Sequence, residues 1–374
     1  MGVLVTCRIA DALGTHLIEV GNYLDLDYVL NCSPGAIGTL ELTLPASFNT
    51  DYLKRDGRIG VWRSINGRPP YMDGNAIYLI ETFIYRTSYT KVTAYHATTL
   101  MDRRIISYAA GSSYASKSAT YADNLIKTFW AENAGASISA ADRDGVETQA
   151  DISAYVSTQA NLSLGASVAK AAARRSLLET AKELADASAT AGTYLTFEII
   201  APTESTLELR TYATQRGVDH RASTAQPVIL SEQRGNLENA ELAIDYHNEV
   251  TFAVAGGQGE QTNRLIATTM DTTRAGISPF GRIERLVDMS NISDATALQD
   301  EADAAVRNGR PVTVFTGDLI ETPALTRGIH FDLGDIVTAE HPRSRQQFDV
   351  RLDVIHEHIS KDGRKTEIGL RSTT

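Results

Sequence analysis

The chain has 374 residues, with 35 Lys plus Arg against 46 Asp plus Glu and a formal charge of -11. That length exceeds one ordinary core and suggests two or three domains, while the basic residues are scattered and lack the clustered footprint of a nucleic-acid binder. No run approaches the ~18 apolar residues of a membrane span, and the start, Met1-Gly-Val-Leu-Val-Thr-Cys7, lacks an export signal, so sequence-specific nucleic-acid binding, a membrane span and export are not expected.

From the N-terminus, strand-like runs alternate with turn signals at residues 4–9, 24–30, 38–44, 58–63, 76–85 and 91–95. Thr39-Leu40-Glu41-Leu42-Thr43-Leu44 puts three leucines on one face before Pro45 stops the strand. The Tyr- and Thr-rich stretch 85–95 fits a long exposed hairpin, in which aromatic and β-branched residues form cross-strand pairs. These runs read as a meander closed as a barrel or sandwich. The two cysteines, Cys7 and Cys32, fall in such runs and are expected to be buried and free.

Residues 110–119 read as a serine-rich loop. A helix follows, with Thr120 as its cap and an apolar stripe of Tyr121, Leu125, Ile126, Phe129 and Trp130 that ends at Asn133 and Gly135. The small, acidic stretch 134–166, including Asp142-Arg-Asp-Gly-Val-Glu147, suggests loop or weak hairpin. The strongest helical pattern covers 168–191, with Ser167 as N-cap, Leu177, Leu178, Ala181, Leu184 and Ala185 on one side, and Gly192 at the stop. Strands at 193–200 and 206–212 complete a helix–hairpin unit.

Runs at 227–231 and 236–246 return to β, and a strand at 248–255 follows in which Val250, Phe252 and Val254 alternate with small or polar neighbours and are expected to face the core. It opens into Gly256-Gly-Gln-Gly-Glu260. A phosphate site would need those glycines to open a helix and a lysine to follow, but the β-branched Ile266-Ala-Thr-Thr269 follows instead, so no nucleotide is expected. Residues 256–280 read as a pliable polar strap. A third helix at 295–307, with Ser293 and Asp294 as cap candidates, precedes strands at 312–316, 334–339, 348–359 and 365–370, the last two joined by the turn Lys361-Asp-Gly-Arg364.

A faint echo links Asp56-Gly-Arg-Ile-Gly-Val-Trp62 and the hairpin ending near Tyr95 with Leu333-Gly-Asp-Ile-Val-Thr338 and the hairpin ending near Leu370. The expected fold is α+β and β-rich, with two similar β-barrel tube-type domains, 1–105 and 247–374, flanking an inserted α+β domain at 106–246. The second barrel domain carries a helical connection.

Four constellations invite a chemical reading. His356 and His358 share a strand face and would meet one metal only if a third ligand came from elsewhere, so a polar strand face describes them better. Ser167-Val-Ala-Lys170 has the Ser-x-x-Lys spacing of serine acyl-transfer enzymes, but the supporting motifs are missing and an N-cap explains Ser167. Asp25 with Asp27, and Glu284 with Asp288, are spacings that any solvated surface produces. No catalytic, cofactor-binding or metal-ligating residue is expected.

The order of elements, together with the phrases Gly38-Thr-Leu-Glu-Leu-Thr-Leu-Pro45, Asp56-Gly-Arg-Ile-Gly-Val61, Asn236-Leu237, Val254-Ala-Gly-Gly-Gln-Gly-Glu260, Arg282-Ile-Glu284 and Phe331-Asp-Leu-Gly-Asp-Ile-Val337, resembles the tail-tip (baseplate) hub proteins of long-tailed bacteriophages, relatives of the contractile-tail hub. The likeness spans nearly the whole chain. It implies a structural virion protein, made in the host cytoplasm and placed at the tail tip as a homotrimer. Its barrels would form a ring bordered by the distal tail protein or tail-tube ring, the tape measure protein and other tip or fibre proteins. The ring would adapt a sixfold tube to a threefold tip and close the channel until DNA ejection. With the second barrel ending close to Thr374, no lytic or fibre activity is expected. The competing readings are a receptor- or carbohydrate-binding tail module, which would expose an aromatic sugar cleft, and a cell-wall-degrading enzyme, which would need converging carboxylates or a metal.

Overall fold

A computed structural model of the chain describes residues 2–108, 115–138, 151–172, 174–290, 292–293, 295–341, 343 and 345–372. The chain divides into two compact units. The larger comprises Met1–Ala189, Thr193–Glu241 and Phe315–Thr374, and the smaller comprises Thr190–Gly192 and Leu242–Val314.

The chain begins with seven strands: β1 (Val3–Ala10), β2 (His16–Val20), β3 (Asp25–Asn31), β4 (Thr39–Pro45), β5 (Arg58–Ile65), β6 (Tyr71–Tyr85) and β7 (Tyr89–His96). Alternation fixes which side of each strand is buried. Leu26, Tyr28 and Leu30 of β3 and Leu40, Leu42 and Leu44 of β4 all point into the core, while their neighbours are half-exposed. β2 had no clear sequence signal. Cys7 and Cys32 are buried and free, and burial pushes the Cys7 thiol up to about 12.

After the short α1 (Thr99–Asp102), the structure departs from the sequence expectations. The described part of the serine-rich segment is not a loop but a strand, β8 (Ala115–Tyr121). Thr120 therefore caps nothing, and α2 (Ala122–Asn133) starts after Tyr121 without a side-chain cap bond. Asp123 turns inward instead, where it accepts the Leu164 N–H at 2.8 Å and the Leu162 N–H at 3.2 Å. Tyr121 is exposed, whereas Leu125, Ile126, Phe129 and Trp130 are buried as the helical spacing requires. The Asp142–Glu147 stretch lies outside the described residues.

Two further strands follow, β9 (Val156–Thr158) and β10 (Ser167–Ala172), then α3 (Leu177–Thr190). The expected 168–191 helix thus loses its first third. Its alanine-rich start pairs antiparallel with β8, a case of tertiary pairing overriding propensity. Ser176 serves the true helix start, accepting the Glu179 N–H at 3.3 Å and donating to Asp102 Oδ1 at 3.1 Å. The apolar sides of α2 and α3 pack on β11 (Leu195–Thr203) and β12 (Thr206–Ala213), giving a core of Phe129, Trp130, Leu177, Leu184, Phe197 and Leu209 among others.

β13 (Ile229–Leu230) and β14 (Leu237–Asp245) lead to the small unit. There β15 (Phe252–Gly256) lies between β16 (Ile266–Met270), antiparallel to it, and β17 (Glu284–Asp288), parallel to it. Residues 256–280 are therefore not a plain strap, because they hold β16 and the short α4 (Thr272–Ala275). The expected inward facing holds at Val250, which is buried, but is reversed along β15. Ala253 and Ala255, not Phe252 and Val254, lie buried with Leu298, Ala302 and Val306 of α5 (Ala295–Asn308). Small side chains let the helix approach the sheet closely, so size rather than hydrophobicity decides the face.

The chain ends with β18 (Val312–Leu319), β19 (Ile336–Glu340), β20 (Gln347–Ser360) and β21 (Gly363–Ser372). Both β regions belong to one 13-stranded sheet, along which the strands run β14-β18-β21-β20-β3-β4-β7-β6-β5-β1-β2, with β19 on β20 and β13 on β19. Among the described residues this path is open and closes into no barrel.

Within it the same order occurs twice: β3-β4-β7-β6-β5-β1 matches β14-β18-β21-β20-β19-β13. The match extends to an irregularity. Ile80 exchanges backbone hydrogen bonds with Asp56 and Gly57, and Leu352 does the same with Gly334 and Asp335. A register shift follows each, between Ile80 and Thr82 and between Leu352 and Val354. Asp56 and Gly334 both take the left-handed conformation, at φ 58 and 88. The structural alignment is thus one residue off the sequence echo, which set Asp56 against Leu333. The repeats differ at their last strand, since β1 is antiparallel to β5 but β13 is parallel to β19.

Candidate functional site

The two repeats meet where β20 pairs antiparallel with β3, from Val354 opposite Asn31 to Ser360 opposite Asp25. Alternation sends Tyr28 and Glu357, an opposed pair, to the inner face. There they join a buried ionic network. Arg327, from the loop between β18 and β19, donates to Asp73 Oδ1 at 2.6 Å and Oδ2 at 2.8 Å, and to Glu357 Oε1 at 2.7 Å. The Tyr28 hydroxyl donates to Asp73 Oδ2 at 2.6 Å, and Arg364 and Thr366 donate to Glu357 Oε2 at 2.8 and 3.0 Å. Arg63 and Arg364 both reach Glu321.

The network decides its own protonation. Burial alone would raise the Asp73 carboxyl, but Arg327 and Arg63 outweigh it and hold the group well below the usual carboxylate range. Burial likewise opposes ionisation of Glu357, which Arg327 and Arg364 reverse. The inner face is therefore charged and compensated, and it ties β3, β5, β6, β20, β21 and the 320–335 loop together.

On the outer face the sequence candidates come together. His356 Nε2 lies 2.9 Å from Asp27 Oδ1, His358 Nδ1 lies 3.2 Å from Asp27 Oδ2, and His358 Nε2 lies 3.2 Å from Asp25 Oδ1. Glu367 adds a contact at 3.5 Å to His356 Nδ1. The two pairs that spacing singled out are thus one cluster, formed by strands 329 residues apart at the His356–Asp27 contact. Among the described residues no group of three or more His, Cys, Asp or Glu is arranged to hold a metal ion.

The other candidates stay apart. Ser167 and Lys170 lie along β10 rather than one helical turn from each other, and Lys170 pairs with Glu183 at 2.5 Å. Glu284 pairs with Arg282 at 2.6 Å and Asp288 with Arg264. Among the remaining histidines, buried His96 receives Thr98, its Nδ1 lying 3.0 Å from the Thr98 hydroxyl, and His16 meets Glu204 at 2.9 Å. No sequence signal marked Arg327, Asp73 or Glu321. A charged residue opposite Tyr28 in a buried pair is visible only once the strands are aligned.

The family model described as Siphovirus ReqiPepy6 Gp37-like protein matches residues 78–370. The chain belongs to this family. Among solved structures it is similar to the tail protein from Neisseria meningitidis MC58, at 13% identity and a TM-score of 0.62, covering 100% of this chain and 97% of that one. The 43 kDa tail protein of prophage MuSo2 from Shewanella oneidensis is similar at 10% identity and a TM-score of 0.60, covering 99% and 98%. Prophage tail protein gp18 from Listeria monocytogenes EGD-e follows at 12%, 0.53, 98% and 94%. No curated protein matches the chain. At these identities the structural likeness establishes a shared fold. With the family match it makes the Gp37-like chain a bacteriophage tail or baseplate structural protein, located in the virion tail. Among the described residues no helix is long and apolar enough to cross a membrane.

Proposed function

We propose that this Gp37-like protein is the tail-tip hub, a homotrimer whose two β regions, one within 1–105 and the other within 247–374 together with β13 and β14, build a ring below the tail tube, with the rest of 106–246 as an α+β insertion. The carrying observation is the repeated strand order in one sheet, since three copies of a duplicated chain present six equivalent repeats to a sixfold tube while keeping threefold symmetry at the tip. Its neighbours in this reading are the distal tail protein or tube ring, the tape measure protein and tip or fibre proteins. The ring closes the channel until DNA leaves.

The outer face of the joint supports the same reading. Asp25, Asp27, Glu41 and Glu367 lie there against Lys91 and Lys365. A lumen lined by such a face repels phosphates and lets DNA slide. No catalytic role is assigned to any residue. Native mass measurement of the purified protein, with an image of the virion tip, tests the proposal: a trimer with six repeats in one tier is expected, and a monomer, a six-copy ring or repeats in separate tiers would refute it.

A further inference from the structure

The start of β1 is a strand edge that opens into a groove. β1 runs from Val3 to Ala10, but β2 covers only its second half, from Cys7 opposite Val20 to Ala10 opposite His16. Even-numbered residues turn their backbone groups to β5, since the Asn66 N–H donates to the Gly2 carbonyl at 2.8 Å. Odd-numbered residues turn theirs away: Cys7 and Ile9 meet β2, and the Val5 carbonyl accepts the Tyr23 hydroxyl at 3.1 Å. The Val3 N–H and C=O and the Val5 N–H therefore face no strand among the described residues.

Two hollows meet at Val3. One, of about 740 Å³, is lined by Val3, Val5, Tyr23, Leu24 and Ile359 among others, and reaches the end of the joint where Ser360 pairs with Asp25. The other, of about 530 Å³, is lined by Val3, Glu238 and residues 318–321 and 364–366. Each is within the ~300–1,000 Å³ of ordinary ligand sites. Leu4 and Leu24, both on the first hollow, are 64% and 48% exposed. Along the two hollows five carboxylates, Glu238 and Asp362 among them, stand against three cations. An open amide edge beside an apolar, acidic groove suits strand addition, in which main-chain bonds give affinity and the groove selects side chains.

The second repeat lacks this site. The counterpart of β1 is β13, which has only Ile229 and Leu230 and runs parallel to β19. The groove thus occurs once per chain rather than once per repeat. We infer that it receives an extended segment of another tail protein, apolar with basic side chains, and that this protein is present in three copies. A chain of net charge -11 with scattered basic residues is itself a poor occupant for an acidic groove. The count of three rests on the homotrimer reading, because a sixfold ring would find the site under only every second repeat.

The test begins in assembled virions carrying the photo-crosslinker benzoylphenylalanine at Leu24. Irradiation should join each chain to one segment of a second tail protein, mapped by mass spectrometry and present at one copy per chain. A synthetic peptide of that segment should then bind the purified wild-type protein, and bind the Val3→Pro protein about tenfold or more weakly. Proline there removes an outward N–H and spares the bonds to β5, so circular dichroism and melting should not change. Asp362→Lys, at an exposed turn, reverses a wall charge and should weaken the same peptide severalfold. A crosslink to a second copy of this chain, no crosslink, or equal peptide binding by all three proteins overturns the inference. A wild type that is never trimeric, yet crosslinks and depends on Val3, overturns the hub and the count of three and leaves the groove standing.

Discussion

The β20–β3 joint and the small unit handle the two faces of a sheet in opposite ways. At the joint both faces are occupied, the inner one by Arg327, Asp73 and Glu357 and the outer one by His356, His358, Asp25 and Asp27. In the small unit one face carries α5, and the other shows Ile266, Met270 and Leu286 to solvent beside Val254 and Phe252, over which Arg282 stacks at 4.1 Å. The joint is thus held by charges that tolerate no missing partner, and the small unit by a thin, alanine-rich layer. The contrast implies that damage at the joint is felt throughout the larger unit, while damage to the small unit stays local.

The largest effect is expected from breaking the joint's charge balance. Arg327→Ala leaves Asp73 and Glu357 buried without their main partner, a change that costs about 3–5 kcal/mol in comparable sites. Chemical denaturation should show that loss, and replacing Arg327 and Asp73 together by apolar residues of similar volume should recover part of it, because removing one cation with one anion leaves Arg63 and Arg364 balanced by Glu321 and Glu357, and a buried ion pair contributes little net stability against an apolar substitute. A mild Arg327→Ala variant would mean that the network is hydrated and loosely held.

The small unit gives the next effect. Leu298 is fully buried against Val250, Ala253 and Ala255, and Leu298→Ala should cost roughly 2–4 kcal/mol there. Hydrogen exchange should rise in β15, β16 and β17 while β3 and β20 keep their protection. Equal loss of protection in both regions would erase the contrast.

Which parts of this were legible in the sequence follows from the range of the interactions involved. Alternation placed Leu40, Leu42 and Leu44 correctly because a strand's facing is a local property, and the start and stop signals flanking 295–307 located α5 for the same reason. The first third of the α3 pattern failed because β8, 57 residues upstream where Ala115 pairs with Ala172, claimed the Val168–Ala172 backbone. β15 was read inside out because α5 selects small side chains, which hydrophobicity alone does not reveal. The echo between the two hairpins was real but one residue out of register, since Asp56 and Gly334 share a backbone conformation rather than a residue type. The joint was invisible: its histidines and aspartates were noticed as two separate pairs, and Arg327 sits in a loop without periodicity.

A pH dependence sharpens the comparison from inside the larger unit. Burial pulls His96 down to about 4, and its Nδ1 accepts the Thr98 N–H, which favours the neutral ring. An unfolded histidine takes a proton near pH ~6.5. The stability contributed by neutral His96 is therefore present above about pH 6.5 and is lost as pH falls toward 4, at up to ~1.4 kcal/mol per pH unit. Asp332 and Asp335, both raised by burial, act with the opposite sign, gaining stability as they take up protons. The measurement is therefore the difference between wild type and His96→Gln across this window. A difference that stays constant with pH would show that His96 is protonated or solvated in the fold.

The smallest effect is expected on the joint's outer face, and it separates the two sides of one strand. His356 and His358 are 36% and 46% exposed at the side chain, and their carboxylate partners are open to water as well. Exposed ion pairs contribute about 0–1 kcal/mol because solvent screens them and two side chains lose freedom. His356→Ala and His358→Ala should accordingly lower stability by less than about 1 kcal/mol each, against the severalfold larger cost at Arg327 on the opposite face. Phage carrying either change, or Ser167→Ala or Lys170→Ala, should still infect, as the structural role proposed above requires. Loss of infectivity with an intact tail, or stoichiometric zinc that disappears in the His356→Ala protein, would mean that the outer face is a working site rather than a solvated surface.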